Sequence, residues 1–225
     1  GNAGVGTMDT ANYAIDTARP TLTSAIFTDN ALKIGETSLV TFTFSESVAG
    51  TFANGDLTIP NGTLTAVTDL GAGTIWTATF TPNASVEAPT NAITVDMTGV
   101  ADAAGNAGTG TSDSSNYAID TVAPTIVSIG MSDSALKIGD TSTLTIVFSE
   151  PVTAFTNADL TTIEGGTLTP VSSSDGGTTW TATFTPTTPL TDPTNIIRVD
   201  ATGLTDIAGN AGVGTMDTAN YAIDT

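Results

Sequence analysis

The chain carries the segment IWTATFTP at residues 75–82 and a near-copy, TWTATFTP, at residues 179–186. In the first copy, apolar side chains at 76, 78 and 80 alternate with threonines at 77, 79 and 81. A period of two sends alternate residues to opposite faces of a β-strand, so one face is buried and the other is wet. VTFTFS (40–45) and AITVDM (92–97) alternate in the same way, and no segment shows a helical period. These segments therefore predict strands.

Other segments recur with the same spacing of 104 residues. AIDT ends at residues 17, 121 and 225, and ALKIGET (31–37) returns as ALKIGDT (135–141). We therefore divide the chain into a first segment, 1–17, and two repeats, 18–121 and 122–225. Residues 1–17 are identical to residues 209–225 and are interpreted as the last strand (G) of a preceding, truncated repeat. We expect this segment to be poorly ordered or to pair with the strand edge of a neighbouring chain.

Each repeat contains about seven strand-like segments separated by turn residues, over roughly 100 residues. This pattern predicts an all-β chain of two tandem immunoglobulin-like β-sandwich domains, of about seven strands each. Since the chain has no cysteine, the prediction rests on the pattern alone, with Trp76 and Trp180 expected to anchor the two cores. In the first repeat the predicted strands are A near 21–27, B 38–45, C 55–59, D 63–68, E 75–81, F 92–98 and G 113–119.

The composition argues against several classes of protein. Asp and Glu total 23 against four Lys and Arg, for a net charge of −19, which would repel nucleic acids and anionic membranes. The chain has no His, no Cys and no phosphate-binding loop, so we do not expect an enzyme. It has no run of 18 apolar residues that could span a membrane. Threonine is the abundant polar residue, with 48 of 225 positions, which suits the wet faces of strands.

The chain resembles a known family over its whole length. The run ARPTLTSAIFTDNALKIGETSLVTFTFSESV (18–48), followed by TWTATFTP, DIAGNAG and NYAIDT, is similar to the bacterial Ig-like repeats of very large surface adhesins. The resemblance is to the repeats of biofilm-associated and RTX-type secreted adhesins. It implies an extracellular stalk on the bacterial cell surface, often with calcium at its junctions. The partners implied are neighbouring repeats of the same chain, and we expect a monomer.

Recurring acidic residues should converge where one repeat meets the next. In a sandwich whose strands alternate in direction, the B–C and F–G loops lie at the end where the chain enters. Carboxylates that converge there repel one another unless a cation lies between them, and Ca²⁺ accepts six to eight such oxygen ligands. Mg²⁺ fits less well because it demands a stricter octahedron. The predicted calcium ligands are Asp120, Glu150, Asp206 and Asn210 at the junction, and Asp16, Glu46, Asp102 and Asn106 at the start of the first repeat.

Plainer interpretations stay open beside this one. The DxAGN segments could be turns in which Asp and Asn bond their own backbone. The acidic residues at the opposite end are expected to be solvated, although they could reach the next repeat. Lys33 and Lys137 are expected to be solvated loop residues rather than members of an isopeptide crosslink. The Thr-x-Thr pairs are expected to be wet strand faces rather than an ice-binding surface. The acids of that opposite end are Asp29, Glu36, Asp133 and Asp140.

Two functions follow. The first is a structural extender whose bending is set by calcium at the junctions between domains. The second is a calcium-dependent adhesive module that binds a glycan or a host protein. A binding module usually exposes aromatic residues, and here only Phe27 and Phe52 are ambiguous in their placement. The extender is therefore favoured.

Overall fold

The structure is a computed structural model that describes residue 11 and residues 14–225. It contains two β-sandwich units in tandem, which confirms the predicted fold class. Three single-turn 3₁₀ helices, Asn54–Asp56, Met97–Gly99 and Asn157–Asp159, interrupt the strands. The expected disorder or edge pairing of segment 1–17 falls almost wholly outside the described residues. Within the described part, no helix is long and apolar enough to cross a membrane.

The first unit is built from eleven short strands in two layers. They are β1 (Leu22–Phe27), β2 (Ala31–Lys33), β3 (Ser38–Phe44), β4 (Leu57–Thr58), β5 (Gly62–Leu64), β6 (Thr68–Asp69), β7 (Ile75–Pro82), β8 (Glu87–Asn91), β9 (Thr94–Asp96), β10 (Thr111–Asp113) and β11 (Tyr117–Asp120).

One layer of this unit is a regular antiparallel sheet, and the other is broken. The first has the order β1-β3-β7-β5, with β6 also paired to β7. The second consists of the three-stranded groups β2-β11-β8 and β10-β9-β4. The predicted strand G therefore consists of two pieces, β10 and β11, and the predicted strand F corresponds to β9, with β8 as a further strand just before it. Strand β2 lies parallel to β11, which gives the unit an extra strand that the pattern did not predict.

The second unit repeats this topology with one additional two-stranded pair, β15-β22. Its strands are β12 (Ile126–Met131), β13 (Ala135–Lys137), β14 (Ser142–Phe148), β15 (Val152–Thr153), β16 (Leu160–Ile163), β17 (Gly166–Leu168), β18 (Ser172–Ser173), β19 (Thr179–Pro186), β20 (Thr191–Asn195), β21 (Ile197–Asp200), β22 (Thr205–Asp206), β23 (Thr215–Asp217) and β24 (Tyr221–Asp224).

Each unit encloses its own hydrophobic core, and the two cores share no residue. In the first unit the fully buried ring of Phe80 packs edge-on against Phe27 and Tyr117, with centroids 5.5 and 4.9 Å apart. Trp76 is also buried, and its indole N–H donates to the Gly73 carbonyl at 3.0 Å. A Cβ on Gly62 would lie 2.2 Å from the Phe80 ring, so only glycine fits at that point of β5. Each unit therefore has the core of an independent domain.

We expect Phe80→Ala to destabilise the first unit strongly. Loss of a fully buried aromatic ring leaves a cavity and should lower the free energy of unfolding by about 3–5 kcal/mol. Thr81→Ala, at the exposed neighbouring position of β7, is the control and should change it by less than about 0.5 kcal/mol. Denaturant unfolding followed by tryptophan fluorescence measures both. Equal effects of the two substitutions would contradict this account of the core.

Candidate metal centre

Two groups of three carboxylates lie at the entry ends of the two units. At the junction, Asp120, Glu150 and Asp206 each place one carboxylate oxygen within 4.8 Å of the others. Asp120 ends β11 of the first unit, Glu150 follows β14, and Asp206 ends β22 of the second unit. The equivalent group at the start of the first unit consists of Asp16, Glu46 and Asp102. The structure thus brings together all six of the carboxylates selected from the sequence, and metal binding by them stays a prediction.

The DIAGN loop holds Asp206 in one orientation. Its Oδ1 accepts hydrogen bonds from the backbone N–H groups of Gly209 (2.6 Å) and Asn210 (2.8 Å). Its Oδ2 accepts from the Asn210 side-chain amide at 2.8 Å. Gly209 has φ +90°, a conformation that favours glycine. The turn interpretation of DxAGN therefore describes the loop correctly. A carboxylate has about four acceptor positions, so Asp206 can hold a cation as well.

The side chain of Asn210 is engaged in hydrogen bonds on both sides of its amide. Besides Asp206, its Nδ2 donates to the backbone carbonyl of Asp120 at 3.0 Å. Its Oδ1 accepts from the backbone N–H of Ile34, in the first unit, at 2.8 Å. The amide oxygen expected to bind calcium is therefore bonded to protein in this structure. Asn210 lies beside the carboxylates and orients that of Asp206 by donating a hydrogen bond to it.

Asn106 occupies the same place in the first unit. Its Nδ2 donates to the Asp16 carbonyl at 3.1 Å and to Asp102 Oδ2 at 2.8 Å. Like Asn210, it contacts the carboxylate group as a donor. Residue type and spacing could place both asparagines, but only the contacts decide which side of each amide faces the acids.

Glu150 is the least satisfied carboxylate of the junction. Its Oε1 is buried and has no hydrogen-bond partner among the described residues. Burial, followed by the charges of Asp206, Asp120 and Glu87, raises the pKa of Glu150 to about 7. A buried oxygen without a donor, beside other carboxylates, is a group that a bound cation would satisfy. The buried, unpaired oxygen of Glu150 therefore indicates that these residues suit a bound metal ion.

In the group at the start of the first unit, the pKa of the glutamate is again raised, and the pKa of one aspartate is lowered. Burial and the charges of Asp102 and Asp16 raise the pKa of Glu46. The side-chain hydrogen bond from Asn106 lowers the pKa of Asp102 despite its burial. In both groups, therefore, the pKa of the glutamate is raised by burial and by neighbouring carboxylates.

The sequence did not single out Glu87. Glu87 begins β8 and pairs directly with Asp120 on the neighbouring strand β11. Its charge contributes to the raised pKa of Glu150. In the second unit Thr191 takes the same place and donates to Asp224 at 3.1 Å. No pattern in the sequence could have found Glu87, because β8 itself has no alternation.

The acids at the opposite ends of the units stabilise turns. Asp29 accepts from the Ala31 N–H and Glu36 from the Lys33 N–H, at 3.0 and 3.1 Å. The equivalent acids of the second unit, Asp133 and Asp140, make the same bonds. None of the four belongs to a carboxylate group of the described residues that could hold a metal.

Two further expectations concern exposed side chains. The Lys33 ammonium is partly exposed, as expected, and lies 3.9 Å from Glu36, but Lys33 ends strand β2 and is not a loop residue. Phe27 and Phe52, the two ambiguous aromatics, are both buried. Among the described residues, the large apolar side chains that are exposed are all Ile, Leu or Val. An aromatic binding surface is therefore absent from the described part of the chain.

The raised pKa of Glu150 predicts a pH dependence of stability without metal. The unfolded chain titrates Glu150 near 4.5 and the folded chain near 7, so the folded state binds the proton more tightly. The stability that Glu150 contributes is complete below its unfolded pKa and is lost as pH rises through about 7.

Melting temperatures in chelator at several pH values between about 4.5 and 8 test this. Glu150→Gln, which keeps the volume and cannot ionise, should flatten the fall seen in the wild type. An equal slope in both proteins would show that Glu150 is not the responsible group.

Comparison with known proteins identifies the family. The family model described as bacterial Ig-like domain matches residues 16–119 and 120–223. Because the two matches cover most of the chain, the chain belongs to the bacterial Ig-like domain family. The matched ranges differ by two residues from the repeats 18–121 and 122–225 drawn from the sequence. No curated protein matches the chain.

Several solved structures are similar to this chain at low sequence identity. The Escherichia coli adhesin FdeC has 15% identity over 95% of this chain and 66% of its own, with a TM-score of 0.42. The I67–I69 fragment of the titin I-band has 10% identity over 93% and 66%, with a TM-score of 0.47. The Yersinia pseudotuberculosis adhesin InvE has 17% identity over 92% and 59%, with a TM-score of 0.35. The chain thus spans 66% or less of these solved chains, and such TM-scores support no transfer of function.

Proposed function

We propose that this chain of bacterial Ig-like domains is an extender segment of a large surface adhesin, and that calcium at the domain junctions stiffens it. The adhesin class proposed is the biofilm-associated or RTX-type secreted one, on the extracellular face of a bacterium. The role is structural and non-enzymatic. The observation that carries the proposal is the convergence of Asp120, Glu150 and Asp206 between two domains with separate cores.

The donor set suits calcium in particular. Three carboxylates supply up to six hard oxygens, and backbone carbonyls and water can complete a shell of six to eight. The set contains no nitrogen or sulfur ligand, which disfavours zinc and the later transition metals. The Asp120, Glu150 and Asp206 carboxylates would hold the ion, with Asn210 orienting Asp206 from behind.

The position of the site explains how an ion would act mechanically. Asp120 belongs to the last strand of the first unit, whereas Glu150 follows β14 and Asp206 ends β22 of the second. A cation held by all three would tie one domain to the next and remove the repulsion among them. Without it, the same charges favour separation of the two surfaces. Occupancy of the site would therefore control how freely the junction bends.

The junction is also short, as an extender requires. Strand β11 ends at Asp120 and β12 begins at Ile126, so only residues 121–125 lie between the two units. Pro124 restricts the backbone of this connection. Val122 N–H donates to Asp120 Oδ1 at 3.2 Å, which constrains the first turn of the connection. Because the connection is short and restricted, a bound ion would need to remove little conformational freedom to stiffen the junction.

Calcium binding should be measurable as heat and as stability. We expect two sites per chain, with dissociation constants of about 10⁻⁴–10⁻³ M, as for other extracellular modules. At about 10 mM Ca²⁺ such binding stabilises the folded state by roughly 1–3 kcal/mol through mass action. Titration calorimetry and calcium-dependent melting measure the two effects, with Mg²⁺ expected to give the weaker response.

Glu150→Gln should remove the junction site and leave one. Asp133→Asn, an acid at the other end of the second unit, is the matched control and should keep both sites. If the wild type shows no heat of binding and no shift in melting temperature, the calcium proposal fails while the extender role remains.

Chelation should change the shape of the chain. The wild type in calcium should give the scattering profile of a stiff rod, and addition of EGTA should lower its radius of gyration as the junction bends. Small-angle X-ray scattering measures this, with Glu150→Gln, which lacks one of the three ligands, expected to give a radius at the junction that no longer responds to calcium. An identical radius with and without calcium would show that the ion does not stiffen the junction.

A further inference from the structure

We propose that Asn210 and the turn Lys33–Glu36 form a joint that docks the two domains without any metal. The joint is distinct from the carboxylate group, because it uses an amide of the second unit and a backbone N–H of the first. Its experiment can therefore fail while the calcium proposal stands, and the reverse.

The two halves of the joint meet through a buried side chain. Asn210 is 2% exposed, and its amide oxygen accepts the Ile34 N–H at 2.8 Å, across 176 residues of chain. Its amide nitrogen donates to the Asp120 carbonyl at 3.0 Å. One side chain of the second unit thus bonds a donor and an acceptor of the first. These two hydrogen bonds fix the orientation of the Asn210 amide, and they hold the facing surfaces of the two units in one relative position.

The turn on the first unit is built to present the Ile34 N–H. The Glu36 N–H donates to the Lys33 carbonyl at 3.2 Å, and Gly35 has φ +81°. A hydrogen-bonded turn with positive φ at its third residue is type II, with Ile34 at the second position. Glu36 also accepts from the Lys33 N–H at 3.1 Å, which leaves the Ile34 N–H free to point outward.

The Lys33 side chain adds a close contact on the same surface. A Cβ on Gly209 would lie 3.0 Å from the Lys33 Nζ, so the glycine of the DIAGN loop lets the lysine approach. The lysine brings a positive charge beside a loop that carries Asp206. The contact therefore suits the negative charge of the junction when no metal is bound.

The second unit carries the same turn, and no other loop among residues 14–225 is docked on it. The Asp140 N–H donates to the Lys137 carbonyl at 3.0 Å and Gly139 has φ +85°. The Ile138 N–H has no acceptor among the described residues, and Ile138 is 76% exposed where Ile34 is 49% exposed. The two turns differ mainly in that one is covered by the Asn210 loop. The surface that fits such a turn is thus an Ig-like domain with an asparagine at this loop position.

This duplication gives a matched pair of variants. Proline is favoured at the second position of a type II turn, so Ile34→Pro keeps the turn and deletes the N–H that Asn210 accepts. Lys33 ends β2, so its extended backbone tolerates a following proline. Ile138→Pro makes the same change where no acceptor is present. Any difference between the two variants reports the joint.

The experiment measures the distance between the domains in chelator. Since the chain has no cysteine, Thr63→Cys and Thr167→Cys place one spin label on an exposed strand position of each unit. The distances are measured by pulsed electron–electron double resonance. We expect Ile34→Pro to raise the ratio of the open to the docked population about two- to tenfold, as for one lost hydrogen bond. Ile138→Pro should keep the wild-type distribution.

Identical distributions for Ile34→Pro and Ile138→Pro would overturn the joint. If Ile34→Pro unfolds the first unit, as far-ultraviolet circular dichroism would show, Asn210→Ala against Asn106→Ala decides instead. Asn210→Ala should broaden the distribution and Asn106→Ala should not, because Asn106 does not lie between the two units. An unchanged distribution for Asn210→Ala would likewise overturn the joint.

Discussion

Hydrogen bonds from one buried asparagine organise the contact between the two domains. Asn210 bonds the Asp206 carboxylate of its own loop, the Asp120 carbonyl of the first unit, and the Ile34 N–H of the same unit. The positions of Asp120 and Asp206 relative to each other follow from these bonds. Without them the carboxylate of the first unit and the two of the second would be linked only by the short connection 121–125.

Two opposing forces then act on the same surface. The amide bonds and the approach of Lys33 favour docking, whereas three carboxylates within 4.8 Å of one another oppose it. Burial strengthens this opposition at Glu150, which has an oxygen without a partner and a pKa raised to about 7. A proton or a cation relieves the repulsion, so the junction should respond to acidity and to calcium in the same direction. A contact that is held by hydrogen bonds and opposed by charge repulsion can change its stiffness when a proton or a cation binds.

Repetition accounts for much of the rest. Both units place an acid at the end of their last strand, a glutamate after β3 or its equivalent β14, and an Asp-x-Ala-Gly-Asn loop near the end of the repeat. Each unit therefore carries both a docking turn and the loop that would cover one. Differences such as Glu87 against Thr191 show that individual junctions can still carry different charge.

The sequence by itself determined the fold class, the two repeats and the gathering of six carboxylates at the entry ends. Alternation in segments such as IWTATFTP specifies a strand with one buried face, and the parity of strands specifies which loops share an end. Only the tertiary structure decided the short strands β2 and β8, the proximity of Glu87 and the orientation of Asn210. The three-residue strand β2 is too short to show a period, and β8 contains a proline and few apolar residues. An amide presents its oxygen or its nitrogen according to what it meets, and Asn210 meets a backbone N–H 176 residues away.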